Sequence, residues 1–386
     1  MPVGKDSRRL ARAIRALDEA RKHPQPLPFV FPVLSLKIGA SWALGPGTLD
    51  PPMALLRELR RHPARRSARP VRVKLHELAL AQAEEWKDMT TISVVATNQT
   101  QAAERAIAIL RILRLYQRIR HPYVSLSVQA FGLPGELFAV QRKVVVLARS
   151  PTVHWSRLGN LGDWSFTDAD QAQLPQDQRI SYLLSALNTL PSQRLALDRR
   201  LLLGLELLDI AWLSHDPRIK TLHLAMALEV LLGTSSEGGE TLAISRRVAF
   251  LTCPAHCGRQ EVQACRYFYR FSNREEVVDF IRQRNQAGLP AICSAFLEVA
   301  FDFFTDRNRV AHQGASGISA GAVSQHHSNV EGAFLALVEW ACRHPGARFR
   351  ALDTEIAHTQ EKGSPYLRRD YATKSSRKSP RAAARV

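Results

Sequence analysis

Arg307, Asn308 and His312 stand together in the stretch FFTDRNRVAHQG, which runs from Phe303 to Gly314. A guanidinium, a carboxamide and an imidazole grouped this tightly read either as an active site or as the polar start of an ordinary helix. The imidazole titrates near neutrality and can take or give a proton. The guanidinium is a planar, permanently charged fork with five donors. On a helix, Asn308 and His312 are i, i+4 neighbours on one face, with Arg307 beside that face. Spacing alone decides little, because R-x-x-x-x-H recurs in RELRRH (Arg57 to His62), RSPTVH (Arg149 to His154) and RIKTLH (Arg218 to His223). What sets the stretch apart is the asparagine directly after Arg307 and the aromatic, apolar run before it. That run predicts a helix ending as the motif begins, at the mouth of a bundle, with Thr305 or Asp306 capping a new start. The competing reading pairs Arg307 with Asp306 or with a neighbouring helix and makes His312 a satisfied histidine.

The elements that must position these residues are helical. From about residue 193 the chain reads as helix after helix: SQRLALDRRLLLGLELLDIAWLSH, then RIKTLHLAMALEVLLG, started after Pro217 and ended by Gly233. TLAISRRVAFL, NREEVVDFIRQRNQAG and PAICSAFLEVAFDFF follow, and AGAVSQHHSNVEGAFLALVEWACRH closes the series near residue 345. Short loops between long helices imply antiparallel neighbours in a bundle. Residues 25–190 have another character. FVFPVLSLKIGASWAL reads as strand and turn, TTISVVATN is a β-branched run, and YVSLSVQAF and RKVVVLARS are further strand candidates joined by GLPGELF. Between them QTQAAERAIAILRILRLYQRI carries Ala106, Ile109, Leu110, Leu113 and Tyr116 at helical spacing. No glycine fingerprint for a nucleotide sits between a strand and a helix there. The expected fold class is therefore α+β: a mixed α/β domain over 25–190, then an all-α bundle over 193–345. Residues 1–24 read as a basic amphipathic helix, and 346–386 as a basic, largely disordered tail.

Composition bounds the partners. The chain has 386 residues, 53 Lys and Arg against 35 Asp and Glu, a net charge of +18 and a pI near 10.3. Such a surplus favours polyanions, nucleic acid first, through counterion release and steering; the bland alternative is a high-GC codon bias that enriches Arg and Ala everywhere. The greasiest segment, LLLGLELLDIAWL, carries Glu206 and Asp209, so it predicts a buried helix and no membrane span. The N-terminus lacks an apolar core stretch and a small-residue cleavage site, so no secretory leader is expected. Five cysteines in no regular framework fit a reducing, cytoplasmic setting.

Three segments in order carry a resemblance. LHLAMALEVLLG (222–233) holds a glutamate inside an apolar helix, ISRRVAFL (244–251) holds an arginine pair, and FTDRNRVAHQG (304–314) holds R-N-x-x-x-H with a trailing glycine. Over roughly 193–345 the chain resembles a HEPN domain of the Apea-like group. The resemblance implies a helical bundle that forms a homodimer, with two copies of the motif lining one cleft. It implies a metal-independent endoribonuclease that leaves a 2′,3′-cyclic phosphate and needs no cofactor. His312 would be general base or acid, Arg307 would hold the scissile phosphate, and Asn308 would orient either one. It also implies a setting in bacterial antiphage defence or a toxin-like role. The insertion CPAHCGRQEVQACRYF departs from the pattern and bears on the entrance of the pocket. Two alternatives stand beside this reading. One is a non-catalytic HEPN module that binds RNA or protein; the other is a basic nucleic-acid-binding regulator.

Other residues complete the candidate set. Glu229 is a carboxylate amid apolar neighbours that either pairs with Arg246 or Arg247 and fixes the bundle or approaches the catalytic cleft; the structural pair is the commoner use, because an unpaired buried carboxylate is costly. Arg309, Arg65, Arg66 and Arg69 are candidate phosphate contacts, though arginine runs are more often simply solvated. Cys253, His256, Cys257 and Cys265 supply enough ligands for a structural zinc, at a spacing that matches no standard knuckle, and buried thiols are the commoner fate. His326 and His327 are adjacent, point to different faces, and are expected to cap or to be exposed.

Overall fold

The computed structural model describes residues 26–61, 70–121, 131–133, 164–214, 216–233, 240–256, 274–286, 298–313 and 318–361. The chain is α+β, mostly helical with a small antiparallel sheet. It divides into two compact units, Met1–Ile180 and Ser181–Val386. The division falls inside a helix, about ten residues before the change of character seen in the sequence. Among the described residues no helix is long and apolar enough to cross a membrane.

The first unit holds strands β1 (Leu27–Val33), β2 (Leu36–Ile38), β3 (Trp42–Leu44), β4 (Gly47–Asp50), β5 (Thr90–Ala96) and β6 (Trp164–Phe166). Four of them pair antiparallel in the order β1-β5-β4-β3, and β2 pairs parallel with β6. The register sets Phe29 opposite Val94 and Leu49 opposite Ile92. Among the described residues β1 is an edge strand, where Pro28 and Pro32 cost the sheet no interior ladder bond. Helices α1 (Ala54–Arg61) and α2 (Pro70–Glu85) precede β5, and α3 (Gln99–Arg120) follows it. Asn98 caps α3 by accepting from the Gln101 amide at 2.8 Å. Ala106, Ile109, Leu110, Leu113 and Tyr116 are all buried, as their spacing predicts. Gly47 lets α3 come close: a Cβ there would lie 2.8 Å from Ile109 Cδ1.

Sequence periodicity misses how completely the second half of α3 is enclosed. Arg114 is fully buried, donates to the Phe131 carbonyl at 2.6 Å and lies over that ring. The helix α2 begins at Pro70, directly after the arginine run that ends at Arg69. Arg65, Arg66 and Arg69 lie outside the described residues, as do residues 1–24 and nearly all of the strand candidates YVSLSVQAF and RKVVVLARS. The first unit closes with α4 (Asp168–Gln173), a 3-10 turn (Leu174–Gln176) and the start of α5 (Gln178–Asn188).

The second unit holds the rest of α5, then α6 (Ala196–Leu213), α7 (Pro217–Leu232), α8 (Glu240–His256) and α9 (Arg274–Gln286). A π-helical turn (Glu298–Phe303) leads into α10 (Phe304–Gln313), followed by α11 (Ala320–Arg343) and α12 (Phe349–Glu361). α7 is the central helix, packed by α6, α8, α10 and α11. Leu224, Ala225, Ala227, Leu228, Leu231 and Leu232 are fully buried on it. Its start is a local device: Asp216 caps, Pro217 takes the first helical position, and Arg218 folds back to grip the carboxylate through Nε at 3.1 Å and Nη2 at 2.8 Å. That grip holds the Asp216 carboxyl down at about 2. Asp177 and Arg179 repeat the device, with the same two distances, at the start of α5.

The end of α7 is tied from outside. Arg200 on α6 donates to the carbonyls of Val230 (3.2 Å) and Gly233 (2.7 Å), and Arg247 on α8 donates to that of Leu232 (2.6 Å). Cations at a helix C-terminus satisfy free carbonyls and oppose the helix dipole. Burial and the neighbouring Arg247 charge lower the Arg200 pKa. Both guanidiniums also face the Phe349 ring, at 4.5 and 5.4 Å. Arg247 pairs with Asp353 at 2.7 Å, and the Trp340 indole donates to Glu355 at 2.6 Å. Phe349, Leu352 and Ile356 are buried. The tail expected from residue 346 is thus corrected: residues 349–361 form a helix. It has few apolar anchors, and its charged partners come from α8 and α11, which no local pattern reveals. Residues 362–386 lie outside the described residues.

Two substitutions test this packing. Gly204 on α6 faces Leu231, and a Cβ there would lie 2.5 Å from Leu231 Cδ2. Gly204→Ala gains about 1 kcal/mol of helix propensity but overpacks the crossing at a cost of about 1–3 kcal/mol. The expected net result is a lower urea midpoint, and a higher midpoint would refute the close approach. Phe349→Ala is expected to destabilise the protein by about 3 kcal/mol, read by thermal or urea denaturation.

Candidate functional site

The motif lies on α10, and the path into that helix is continuous. Thr305 donates its hydroxyl back to the Phe301 carbonyl at 2.6 Å, so it bonds within the turn and does not cap. The expectation of a fresh helical start at Thr305 or Asp306 is corrected, because the π-helical turn passes directly into α10. Phe303 and Phe304 bury their rings, 5.5 Å apart, and Val310 buries two turns on. With that side inward, Asn308, Arg309 and His312 fall on the exposed side.

Arg307 stands at the border between the two sides. Its Nη2 donates to Glu229 Oε1 on α7 at 2.7 Å, and its Nη1 donates to Asn308 Oδ1 at 2.9 Å. The two side chains of the ion pair are 32% and 33% exposed, so the pair is open to solvent on one side. Because Asn308 Oδ1 accepts from Arg307, its amide nitrogen is left to donate outward. His312 follows one turn later on the same face, exposed. Arg309 reaches back to Asp306 at 3.7 Å and is more than half exposed.

Of the two placements expected for Glu229, pairing with Arg246 or Arg247 is corrected: its carboxylate reaches the motif instead. Glu229 takes Arg307, while Arg247 is committed to Asp353 and the end of α7. Arg246 points elsewhere from its neighbour, as adjacent helical residues must. It is half-buried, and among the described residues its Nε has no hydrogen-bond partner. Its pKa is lowered by burial and by the adjacent Arg247 charge, with Glu276 opposing. The competing reading holds in one part: Arg307 does pair with a neighbouring helix. Its histidine stands out in solvent.

The histidine pair on α11 is also corrected. His326 is 1% exposed, with Nε2 3.1 Å from Asp306 Oδ2 and its ring edge-on to Phe303 at 4.7 Å. His327 lies 3.2 Å from Glu331 and 6.3 Å from the Trp212 ring. Neither caps the helix; Ser319 does, accepting from the Ala322 amide. The signal was present in the sequence, since Val323, His326, Val330 and Ala333 share one helical face and all are buried. Cys253 and His256 lie on α8, but their side chains, together with Cys257 and Cys265, fall outside the described residues. Among the described residues no group of His, Cys, Asp or Glu could hold a metal ion.

No family model matches this chain, and neither a curated protein nor a solved structure matches it. Chemically, the arrangement offers a cation held in place by a carboxylate, beside a carboxamide and an imidazole on an open helix face. His312→Ala is expected to change stability by less than about 0.5 kcal/mol, because the side chain is exposed. Arg307→Ala is expected to cost about 1 kcal/mol, because it leaves Glu229 half-buried without its partner. A larger loss for His312→Ala in a thermal melt would mark it as a packing residue.

Proposed function

We propose that the protein is a metal-independent endoribonuclease of the HEPN type, acting as a homodimer through its helical unit. One observation carries the reading: Arg307 is anchored by Glu229 and Asn308 while Asn308 and His312 face outward from the same helix. His312 takes the proton of a ribose 2′-hydroxyl, and the 2′-oxygen attacks phosphorus. The 5′-oxygen leaves with a proton delivered by an imidazole, which in a dimer the second copy supplies. Arg307 steadies the phosphate oxygens as charge builds on them. The product is a 2′,3′-cyclic phosphate and a 5′-hydroxyl. The +18 charge favours RNA as the polyanion through counterion release. Cytoplasmic antiphage defence or a toxin-like role is the setting that the resemblance suggests.

A second reading, an RNA- or protein-binding module without cleavage, draws on one feature. Arg307 already donates through both Nη atoms, one N–H from each, so three of its five donors remain for a phosphate.

The two readings separate in a single experiment. Structured RNA is incubated in EDTA with the wild type, His312→Ala and Arg307→Ala, and product ends are analysed. The expected result is cleavage to cyclic-phosphate ends by the wild type, reduced at least about a hundredfold in each variant. Cleavage that persists in both variants, or that EDTA abolishes, rules out the ribonuclease reading. Salt-sensitive binding without cleavage supports the second reading.

A further inference from the structure

We propose that His326 is a positioning residue for this site, acting through Asp306; the inference rests on the ribonuclease reading above. His326 belongs to α11, fourteen residues beyond the motif histidine, and nothing in R-N-x-x-x-H includes it. It is 1% exposed, yet it is an imidazole. Burying such a group is costly unless it is hydrogen-bonded, and its Nε2 lies 3.1 Å from Asp306 Oδ2. Asp306 directly precedes Arg307. The first turn of α10 is therefore tied to two different helices at consecutive residues: Asp306 to α11 through His326, and Arg307 to α7 through Glu229.

Two ties at adjacent residues, aimed about 100° apart around the axis, set the roll of a helix in a way that one tie cannot. Apolar packing of Phe303 and Val310 sets how deeply α10 sits, but such contacts are non-directional and tolerate rotation. The roll decides where His312 stands. A rotation of 20° moves a side-chain tip lying about 6 Å from the axis by about 2 Å. A misplacement of about 1 Å is enough to cost about a hundredfold in rate. The Arg309–Asp306 pair cannot do this work. It joins two residues of the same helix at 3.7 Å, with the arginine largely in solvent.

The test uses the full chain and three single variants. His326→Phe keeps a ring against Phe303 and removes the polar nitrogen. His326→Gln returns a donor close to the position of Nε2. Asp306→Asn keeps the shape of the side chain from the other side of the bond. Each is assayed for kcat and KM of RNA cleavage in EDTA, for Kd toward a 2′-deoxy-substituted RNA that cannot be cut, and for melting temperature. His326→Phe is expected to lose about a hundredfold in kcat, with Kd and KM within about threefold of wild type. His326→Gln is expected to recover at least about tenfold of that loss. Asp306→Asn should lower kcat at least about tenfold, and a double variant with His326→Phe should be no worse than His326→Phe alone.

An active wild type with His326→Phe unimpaired overturns this proposal and leaves the ribonuclease reading standing. Equal loss in the Phe and Gln variants, or additive loss in the double variant, overturns it too. If His326→Phe does not fold, an unimpaired Asp306→Asn is sufficient to overturn it. A wild type that binds RNA without cutting it overturns both readings together.

Discussion

The burial of α7 is the constraint on which the helical unit depends. One helix surrounded by four others must present apolar surface almost all round, and it must come close to each neighbour. Small residues make that possible: Ala225 and Ala227 on α7 itself, and Gly204 on α6 beneath Leu231. A helix so enclosed has a problem at its ends, because its last carbonyls cannot reach water. Arg200 and Arg247 solve it by donating to Val230, Leu232 and Gly233. The same two guanidiniums then receive Phe349, so the end of α7 also becomes the seat of α12. One carboxylate, Glu229, sits on this helix one turn before its end and reaches Arg307. The motif is thus referenced to the helix around which the others pack.

Arginine serves two purposes in this chain, and they should be kept apart. Arg114, Arg194, Arg200 and Arg247 direct their donors at backbone carbonyls, Arg194 at those of Ala186, Leu187 and Thr189 near the end of α5. A composition count credits all of these to a basic surface. Carbonyl partners do not cancel a guanidinium's charge, although the Asp353 carboxylate offsets that of Arg247. They do remove those side chains from the set that can grip a phosphate directly. Arg309, exposed and weakly paired, is left as a better candidate for direct contact than its buried counterparts.

Much of the helical unit was legible in the sequence, because its helices are long and their boundaries chemically marked. Pro217 starts α7 and Gly233 ends it, and Ser319 caps α11. The faces of α3 and α6 follow from apolar spacing. What local pattern could not supply was anything depending on a partner distant in sequence. α12 reads as tail in the sequence because its anchors are few and its charged partners lie on α8 and α11. Taken as half of a histidine pair His326 reads as a cap or an exposed residue, although the valine and alanine spacing around it places it inside.

The sequence by itself determined which chemistry is available: Arg307, Asn308 and His312 on one helical segment, with a helix's geometry fixing their order and face. That is local information, set by 3.6 residues per turn and by the apolar run before the motif. Only the tertiary structure decided what those groups are bound to. Glu229 lies 78 residues before Arg307 and His326 lies 20 residues after Asp306. Neither partner follows from spacing. Charge pairing across helices depends on which faces meet, and that is settled only when the apolar surface of α7 selects its neighbours.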